Sequence, residues 1–264
     1  MWMNDLARRV VPTALALAVS ALAAPGARAA DEEIQVYMDE IGPVGAVGLD
    51  LHLNYVPAGR TLPDYPGGQV SEGRFRLTPE WSYAVSPNVE LGAYLPLTTI
   101  DRNGKAEIGG VKGRIKFVAS RPEGRDWFWG LNLEVGRVRR DLDINPWNAE
   151  LKGILGVRKG PWTLASNFNF GWVVSGPQRG SPDMQLALKG SYSLDEDTAI
   201  GLESFTGLGT TKAFGRLSRN DQQIFAVIDK TLGHWDFDLG LGHGYGAPED
   251  NWIVKLIVGV PIGG

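Results

Sequence analysis

Residues capable of acid–base or nucleophilic chemistry are few in this chain. It contains three histidines (His52, His234 and His243) and no cysteine, so it has neither a thiolate nucleophile nor a cysteine-ligated metal site. A catalytic serine needs a base within hydrogen-bond reach, and the sequence has no GxSxG motif to mark one. Three scattered histidines also do not form the converging ligand set that a metal ion requires. We expect no catalytic residues, no metal site and no cofactor.

Charged residues are a richer signal, because they recur at every second position of several segments. In a strand, successive side chains point to opposite faces, so these charges share one face. Opposite charges on adjacent strands can pair, at about 0.2–1 kcal/mol for each pair, or they can line an aqueous path and set its selectivity. The residues that we expect to line this polar interior are Arg74, Arg76, Glu80, Glu90, Lys112, Arg114, Lys116, Glu134, Glu150 and Lys152. Arg158 follows on the sixth segment, and later segments add Asn167, Asn169, Gln185, Lys189, Glu203, Asp229, Asp236, Asp238 and Lys255.

The segments that carry these charges have the pattern of amphipathic strands. From Val47 to Tyr55, every odd position is apolar or aromatic, whereas the even positions include Asp50 and His52. A helix would mix the two sets, so this period of two predicts a strand. Strand ten is the least regular, because Phe225 and Val227 fall on its polar face. The chain is therefore predicted to be all-β, with about twelve strands near 47–55, 74–83, 89–95, 111–117, 127–136, 147–158, 162–174, 183–194, 199–206, 222–233, 235–246 and 251–262.

The connections between these strands alternate in length. Short turns at one end and longer loops at the other are typical of an antiparallel outer-membrane β-barrel, in which the turns are periplasmic. An even strand count brings both ends of the barrel to the periplasmic side. Alternating glycines from Gly240 to Gly244 are expected to allow strand curvature. The turns are predicted at 86–88, 121–126, 159–161, 195–198 and 233–234, and the loops at 57–72, 101–106, 140–146, 175–182, 206–221 and 246–250.

The apolar face of these strands is expected to look outward. The polar face carries too many long charged side chains to fill a small interior without water, as a soluble β-sandwich or lipocalin-like barrel would require. Aromatic residues on the apolar face fall at the strand ends, where a membrane barrel has its two interfacial belts. One predicted belt, beside the turns, contains Tyr83, Trp127, Trp162, Tyr192 and Trp235. The other, beside the loops, contains Tyr55, Trp147, Trp172, Tyr245 and Trp252.

Residues 1–29 have the anatomy of a secretory signal peptide. Arg8 and Arg9 precede an apolar stretch from Val10 to Ala24, and a small-x-small site follows at 27–29. The stretch is short for a membrane anchor, which needs about 20 residues. Cleavage after Ala29 would leave a barrel domain over residues 30–264. The net charge of −4 and the lack of a basic block predict no binding to nucleic acid.

Two features depart from an ideal barrel. Pro79 and Pro96 fall inside predicted strands, where proline removes a ladder donor, so we expect bulges or strand ends there. The chain also ends with VPIGG at 260–264, whereas bacterial barrels commonly end in an aromatic residue that the assembly machinery reads.

The first half of the predicted mature chain resembles a bacterial family of predicted outer-membrane barrels, described as transporter-like or tied to the MetA pathway of phenol degradation. The resemblance implies an outer-membrane barrel that moves small, often aromatic, compounds, and it transfers no site residues. The motifs that carry it are moderately specific and none is catalytic. They are DEEIQVY at 31–37, LHLNY at 51–55, DYPGG at 64–68, ELGAYLP at 90–96 and, more loosely, GPW at 160–162.

Three functions are compatible with such a barrel. The first is a narrow channel or transporter for small solutes, including aromatic or hydrophobic compounds, in the bacterial outer membrane. Its partners would be outer-membrane lipid, the barrel-assembly machinery and the solute. The second is a structural barrel that transports nothing because a salt-bridged interior plugs it, since twelve strands lie between filled small barrels and open porins. The third is a lipid hydrolase at the barrel rim, with His243 as its only candidate base. We expect the first of these and no enzymatic activity.

Overall fold

A computed structural model describes residues 33–121, 124–215, 217, 220–246 and 250–262. The predicted signal peptide, the small-x-small site and the final two glycines lie outside the described residues. Within the described part of the chain, no helix is long and apolar enough to cross a bilayer.

The described residues form thirteen strands. Twelve are long, and β10 has only two residues. Their bounds are β1 Val47–Ala58, β2 Phe75–Ser86, β3 Val89–Ile100, β4 Ala106–Val118, β5 Trp127–Val138, β6 Trp147–Lys159, β7 Trp162–Ser175, β8 Asp183–Ser193, β9 Thr198–Thr210, β10 Ala213–Phe214, β11 Gln222–Leu232, β12 Trp235–Gly244 and β13 Trp252–Val260.

The twelve long strands close into one antiparallel barrel. Each pairs with its neighbours in sequence, except that β9 pairs with β8 and, past the short β10, with β11. The barrel is closed by β1 and β13, whose register places Leu53 opposite Leu256. The short β10 forms a hairpin with the end of β9, where Ala213 pairs with Thr210. The prediction of an all-β, twelve-stranded antiparallel barrel is confirmed.

Side-chain alternation separates the outside of the barrel from its lumen. In β5, Trp129 and Leu131 are 40% and 44% exposed, whereas Phe128 and Asn132 are 1% and 0% exposed. The same alternation recurs around the barrel and leaves a continuous apolar outer surface, far larger than the patches that a water-soluble monomer exposes. Such a surface is compatible with hydrocarbon, as the outward-facing prediction requires.

The two ends of the barrel differ as the connection lengths predict. At one end, Gly160 and Gly233 adopt φ angles of 57° and 65° in the β6–β7 and β11–β12 turns, a region that glycine enters without a Cβ clash. We call this the turn end. At the opposite, loop end, the β1–β2 loop contacts the β5–β6 loop, because the Gln69 N–H donates to the Asp141 carbonyl at 2.8 Å. Two loops that are distant in sequence are therefore joined over that end.

The expected irregularity at Pro79 and Pro96 interrupts the β2–β3 ladder. The paired residues jump from Leu77–Thr98 to Glu80–Tyr94, so two residues of β2 face three residues of β3. Proline has no N–H to donate, and the ladder fails locally as a bulge.

Several strands are longer than the sequence pattern predicts; β3, for example, continues to Ile100 instead of ending at Leu95. β4 begins at Ala106, inside the predicted loop 101–106, and a register shift beside Gly110 explains why alternation does not reveal it. β9 continues to Thr210, into the predicted loop 206–221. Its added residues include Gly207 and Gly209, which have no side chain for a period to be read from.

The first described residues lie inside the barrel. Residues 33–46 form no strand, and Ile34, Val36 and Tyr37 are at most 3% exposed. They belong to one buried apolar cluster with inward barrel residues such as Phe128 and Phe225. We call residues 33–40 the inner segment. Sequence patterns do not predict its position, because a short stretch without periodicity does not indicate what it packs against.

Candidate functional site in the lumen

The ten charged residues expected to line the interior all lie on the inward face of the barrel. Alternation along β2 to β6 positions nine of them, Arg74 directly precedes β2, and eight of the ten are only 2–8% exposed. Burial of an unpaired charge is unfavourable, so each buried charge needs a partner in the lumen. The ten are Arg74, Arg76, Glu80, Glu90, Lys112, Arg114, Lys116, Glu134, Glu150 and Lys152.

One charge network crosses β1 to β4. Glu80 accepts from Arg114 Nε at 2.5 Å and contacts His52 Nε2 at 2.8 Å. The same guanidinium donates through Nη2 to Glu90 at 2.7 Å. Arginine can serve two carboxylates at once because its planar group presents several N–H donors in fixed directions. The network ties four neighbouring strands together on the lumen side.

A second network connects β5 and β6 to the inner segment. Lys152 Nζ lies 2.8 Å from Glu134 and 3.2 Å from Glu150. It also lies 3.8 Å from Glu33 of the inner segment. Asn132 donates to the same Glu134 oxygen at 2.7 Å. One ammonium therefore serves carboxylates on the wall and on the segment that the wall encloses.

A third network occupies the opposite wall, on β8 to β13. Lys255 Nζ lies 2.5 Å from Glu203 and 3.1 Å from Asp238. Lys189 Nζ lies 3.1 Å from Glu203, 3.0 Å from Asp229 and 3.2 Å from Asp238. Lys255 also donates to the Ile34 carbonyl of the inner segment at 3.2 Å. Alternation identifies these five residues as inward-facing but does not reveal that they meet.

Arg74 and Arg76 lie nearer the loop end than these networks. Arg74 donates to Thr99 Oγ1 at 2.8 Å and to the Val70 carbonyl at 2.7 Å. Arg76 lines a small hollow with Thr78 and Leu142. The predicted set of ten is therefore not one site: part of it surrounds the inner segment and part of it supports the loops.

The inner segment is clamped at the turn end by basic residues. Arg158 Nη2 donates to Asp39 at 2.8 Å and to the Glu40 carboxylate. Lys116 Nζ donates to the Glu40 carbonyl at 2.7 Å, and Arg121 lies 3.7 Å from Asp39. Arg158, which alternation also places on the polar face of β6, is thus central to holding the segment. The sequence pattern does not reveal that its partners come from the inner segment.

Tyr37 anchors the middle of the inner segment. Its backbone N–H donates to Asn167 Oδ1 at 2.6 Å, and Asn167 Nδ2 donates to its carbonyl at 2.8 Å. Its hydroxyl group contacts the Tyr94 hydroxyl. The nearest cation to its ring is Lys152, 4.7 Å from the centroid. The segment is therefore bound through its backbone, its hydroxyl and its ring.

An apolar patch of the wall packs against Ile34 and Val36. Phe225 and Val227 of β11, which interrupt the alternation of the tenth predicted strand, are buried here beside Phe205. The alternating glycines of β12 have a packing role, because a Cβ on Gly242 would lie 2.2 Å from the Phe225 ring. These glycines leave space for bulky inward side chains. The lumen is therefore partly apolar, whereas alternation predicts a polar interior.

The three histidines lie in different elements of the barrel. His243, the candidate rim base, has Nδ1 2.5 Å from the Asn251 backbone carbonyl, and its ring centroid lies 5.0 Å from that of Trp252. Its hydrogen bond thus goes to backbone rather than to a nucleophilic hydroxyl. His52 is engaged with Glu80, and His234 lies in the β11–β12 turn. Over the described ranges, no group of three or more potential ligands could hold a metal ion.

The ten predicted belt aromatics lie at the strand ends on the outward face. Nine are 38–55% exposed, and Trp172 is half-buried. Trp162 and Tyr192 are paired edge to face, with centroids 4.9 Å apart. Amphipathic rings at both rims of an apolar surface suit the two interfaces of a bilayer.

A scan against protein-family models and a search of curated proteins find no match for this chain. Solved structures do match it. The COG4313 outer membrane channel from Pseudomonas putida F1 aligns with a TM-score of 0.58 at 14% identity, covering 86% of this chain and 99% of that chain. The KdgM porin aligns with a TM-score of 0.54 at 10% identity, covering 82% and 99%. The NanC porin gives 0.51 at 8% identity, covering 80% and 97%. At these identities the likeness is one of fold, and this chain has the fold of outer-membrane channels and porins.

Proposed function

We propose that this protein is an outer-membrane channel for small solutes whose lumen is restricted by its own inner segment. The observation that carries the proposal is the way in which the segment is held. Residues 33–40 form no strand, and their anchors in the lumen are ion pairs, hydrogen bonds and side-chain packing. Such contacts can be exchanged for contacts to a solute, whereas a strand in the barrel ladder cannot be released without opening the barrel.

The location in the outer membrane is supported by the outer surface. Its strands present apolar side chains throughout and aromatic rings at both rims, the pattern that outer-membrane barrels use. We propose outer-membrane lipid as the surrounding partner, and the barrel-assembly machinery as the route of insertion. We propose no enzymatic activity, because His243, the candidate base, is hydrogen-bonded to the Asn251 backbone carbonyl.

The substrate class follows from the mixed lining of the lumen. Charged networks and an apolar patch of three aromatic rings, Phe128, Phe205 and Phe225, surround the same segment. A solute with an apolar body and a polar group would match both. The resemblance to transporter-like barrels of phenol degradation supports aromatic compounds as members of this class.

A structural barrel that transports nothing is the second candidate. It is favoured by one observation, the extent of charge pairing in the lumen. The cations at the centre of the three networks are buried, and Lys255 is 0% exposed. A fully paired and occupied lumen would act as a plug that stiffens the barrel.

Conductance of the protein in planar lipid bilayers tests between these candidates. The variant Asp39→Asn/Glu40→Gln removes both charges that Arg158 holds. We expect it to conduct ions several-fold better than the wild type, because the segment loses its clamp at the turn end.

The matched control is Glu196→Gln/Asp197→Asn, which removes two charges from the β8–β9 turn at the same end of the barrel. It should conduct like the wild type. A channel is contradicted if wild type, clamp variant and control all remain closed to ions and to small solutes in liposome swelling.

A further inference from the structure

The Tyr37 side chain fills a site in the lumen formed by Tyr94, Arg114, Lys116 and Lys152, which we call the socket. Its ring and its hydroxyl group contact different residues of this socket. The phenol is buried, at 2% exposure. It comes from the inner segment, while the groups around it come from the barrel wall. The wall therefore retains these groups wherever the segment lies.

The ring is surrounded by cations. Lys152 Nζ lies 4.7 Å from its centroid, Lys116 Nζ 5.5 Å and Arg114 Cζ 5.7 Å. The face of an aromatic ring carries negative electrostatic potential and attracts a cation placed within about 6 Å. A saturated ring of the same size lacks this attraction. The socket therefore discriminates by the electrons of the ring as well as by its shape.

The hydroxyl end of the socket is equally defined. The Tyr37 hydroxyl meets the hydroxyl of Tyr94, a β3 residue that is 1% exposed. A buried hydroxyl without a partner is unfavourable, so a ring that lacks a hydroxyl would leave Tyr94 unsatisfied. The wall thus selects for a hydroxyl group at the far end of the ring.

We infer that this socket is a binding site for small phenols, and that Tyr37 occupies it as an internal ligand. The inference rests on the proposed channel function and specifies a solute class and a site for it. A phenol entering the lumen would exchange with Tyr37, taking over its contacts with Tyr94 and with the cations of β4 and β6. Release of Tyr37 would then accompany passage of the solute.

The test uses Tyr37→Ala, which vacates the socket, and p-cresol, which reproduces the tyrosine side chain. Block of the ion current in planar bilayers is measured with p-cresol, with toluene, which lacks the hydroxyl, and with 4-methylcyclohexanol, which lacks the aromatic electrons. We expect half-block by p-cresol at a concentration at least tenfold lower than by either analogue. Wild type should require more p-cresol than the variant, because Tyr37 competes.

Two further substitutions in the Tyr37→Ala background separate the two recognition elements. Tyr94→Phe should remove the preference for p-cresol over toluene. Lys116→Met should reduce the preference over 4-methylcyclohexanol, and it leaves the Glu134 and Glu80 networks intact. Heat-modifiable gel mobility verifies that each variant is a folded barrel. Tyr83→Ala, which truncates an outward-facing tyrosine at 46% exposure, should behave like wild type.

Equal block by all three compounds would overturn the inference while leaving the channel in place. If no variant conducts, the channel proposal fails, and calorimetric titration of p-cresol into folded Tyr37→Ala then tests the socket by itself. Binding there without the tenfold preference over toluene would also overturn it.

Discussion

Lys255 illustrates how a single residue is fixed inside this barrel. Its ammonium is 0% exposed and lies between Glu203, Asp238 and the Ile34 carbonyl. Removing one partner from a buried charge group costs far more than removing an exposed pair, because the remaining charges keep their burial without compensation. The residue is therefore a sensitive probe of the lumen.

We predict that Lys255→Met lowers the free energy of unfolding by about 3–5 kcal/mol, because it leaves Glu203 and Asp238 buried together without a cation. Urea unfolding of the protein in lipid vesicles measures this effect. Lys105→Met is the matched control: Lys105 is 69% exposed and pairs with Glu107 on the surface, and its loss should cost less than about 1 kcal/mol. Equal losses for the two variants would show that the lumen around Lys255 is hydrated.

For individual residues, the sequence predicts the face of the strand on which a side chain lies, but it does not predict which residues that side chain contacts. Alternation places Glu203, Asp238 and Lys255 on the inward face, because a strand has a fixed period of two. It does not reveal that β8 and β13 present lysines to the same carboxylates, since that depends on barrel closure. Alternation likewise places Arg158 on the inward face of β6. It does not reveal that Asp39 and Glu40, which are distant in sequence, are its partners.

The strands vary in how continuous their ladders are. β5 and β6 pair without interruption from Trp127–Val157 to Arg137–Trp147. The β2–β3 ladder breaks between Leu77 and Glu80. Backbone groups at such a break lack regular ladder partners, and local opening needs less free energy where hydrogen bonds are missing.

We predict that amide hydrogen exchange is faster around Leu95 and Leu97 of β3 than in the middle of β5. Mass spectrometry of peptides from the protein in lipid vesicles compares the two regions directly. Tyr94 pairs regularly with Glu80. It should therefore be protected from exchange, and it serves as a control within the same strand. Uniform protection along β3 would contradict an interrupted ladder.

Elements with a repeating pattern could be predicted, and elements without one could not. Twelve strands, their alternating connections and the two aromatic belts follow from a period of two combined with turn residues. The bulge at Pro79 and Pro96 follows from the missing N–H. The inner segment has no period, and its position depends on contacts with Asn167 and Phe225 that are distant in sequence.

The whole molecule combines a surface that suits lipid with a lumen that is occupied by its own chain. Closure of β1 on β13 leaves both edges of each of the twelve long strands paired, so the barrel ladder does not include the inner segment. Release of the segment would leave this ladder intact, which is what the proposed channel requires.

Cross-linking of the inner segment to the wall tests this account most directly. The chain has no cysteine, so Asp39→Cys/Arg158→Cys introduces the only two thiols, at a contact that spans 2.8 Å between side-chain atoms in the native protein. A short, reducible bis-methanethiosulfonate reagent should join them. The account predicts that the uncross-linked variant conducts ions in planar bilayers, that cross-linking closes it, and that reduction reopens it. A cross-link that leaves the conductance unchanged, or thiols that do not react with one reagent molecule in the folded barrel, would contradict occlusion of the lumen by residues 33–40.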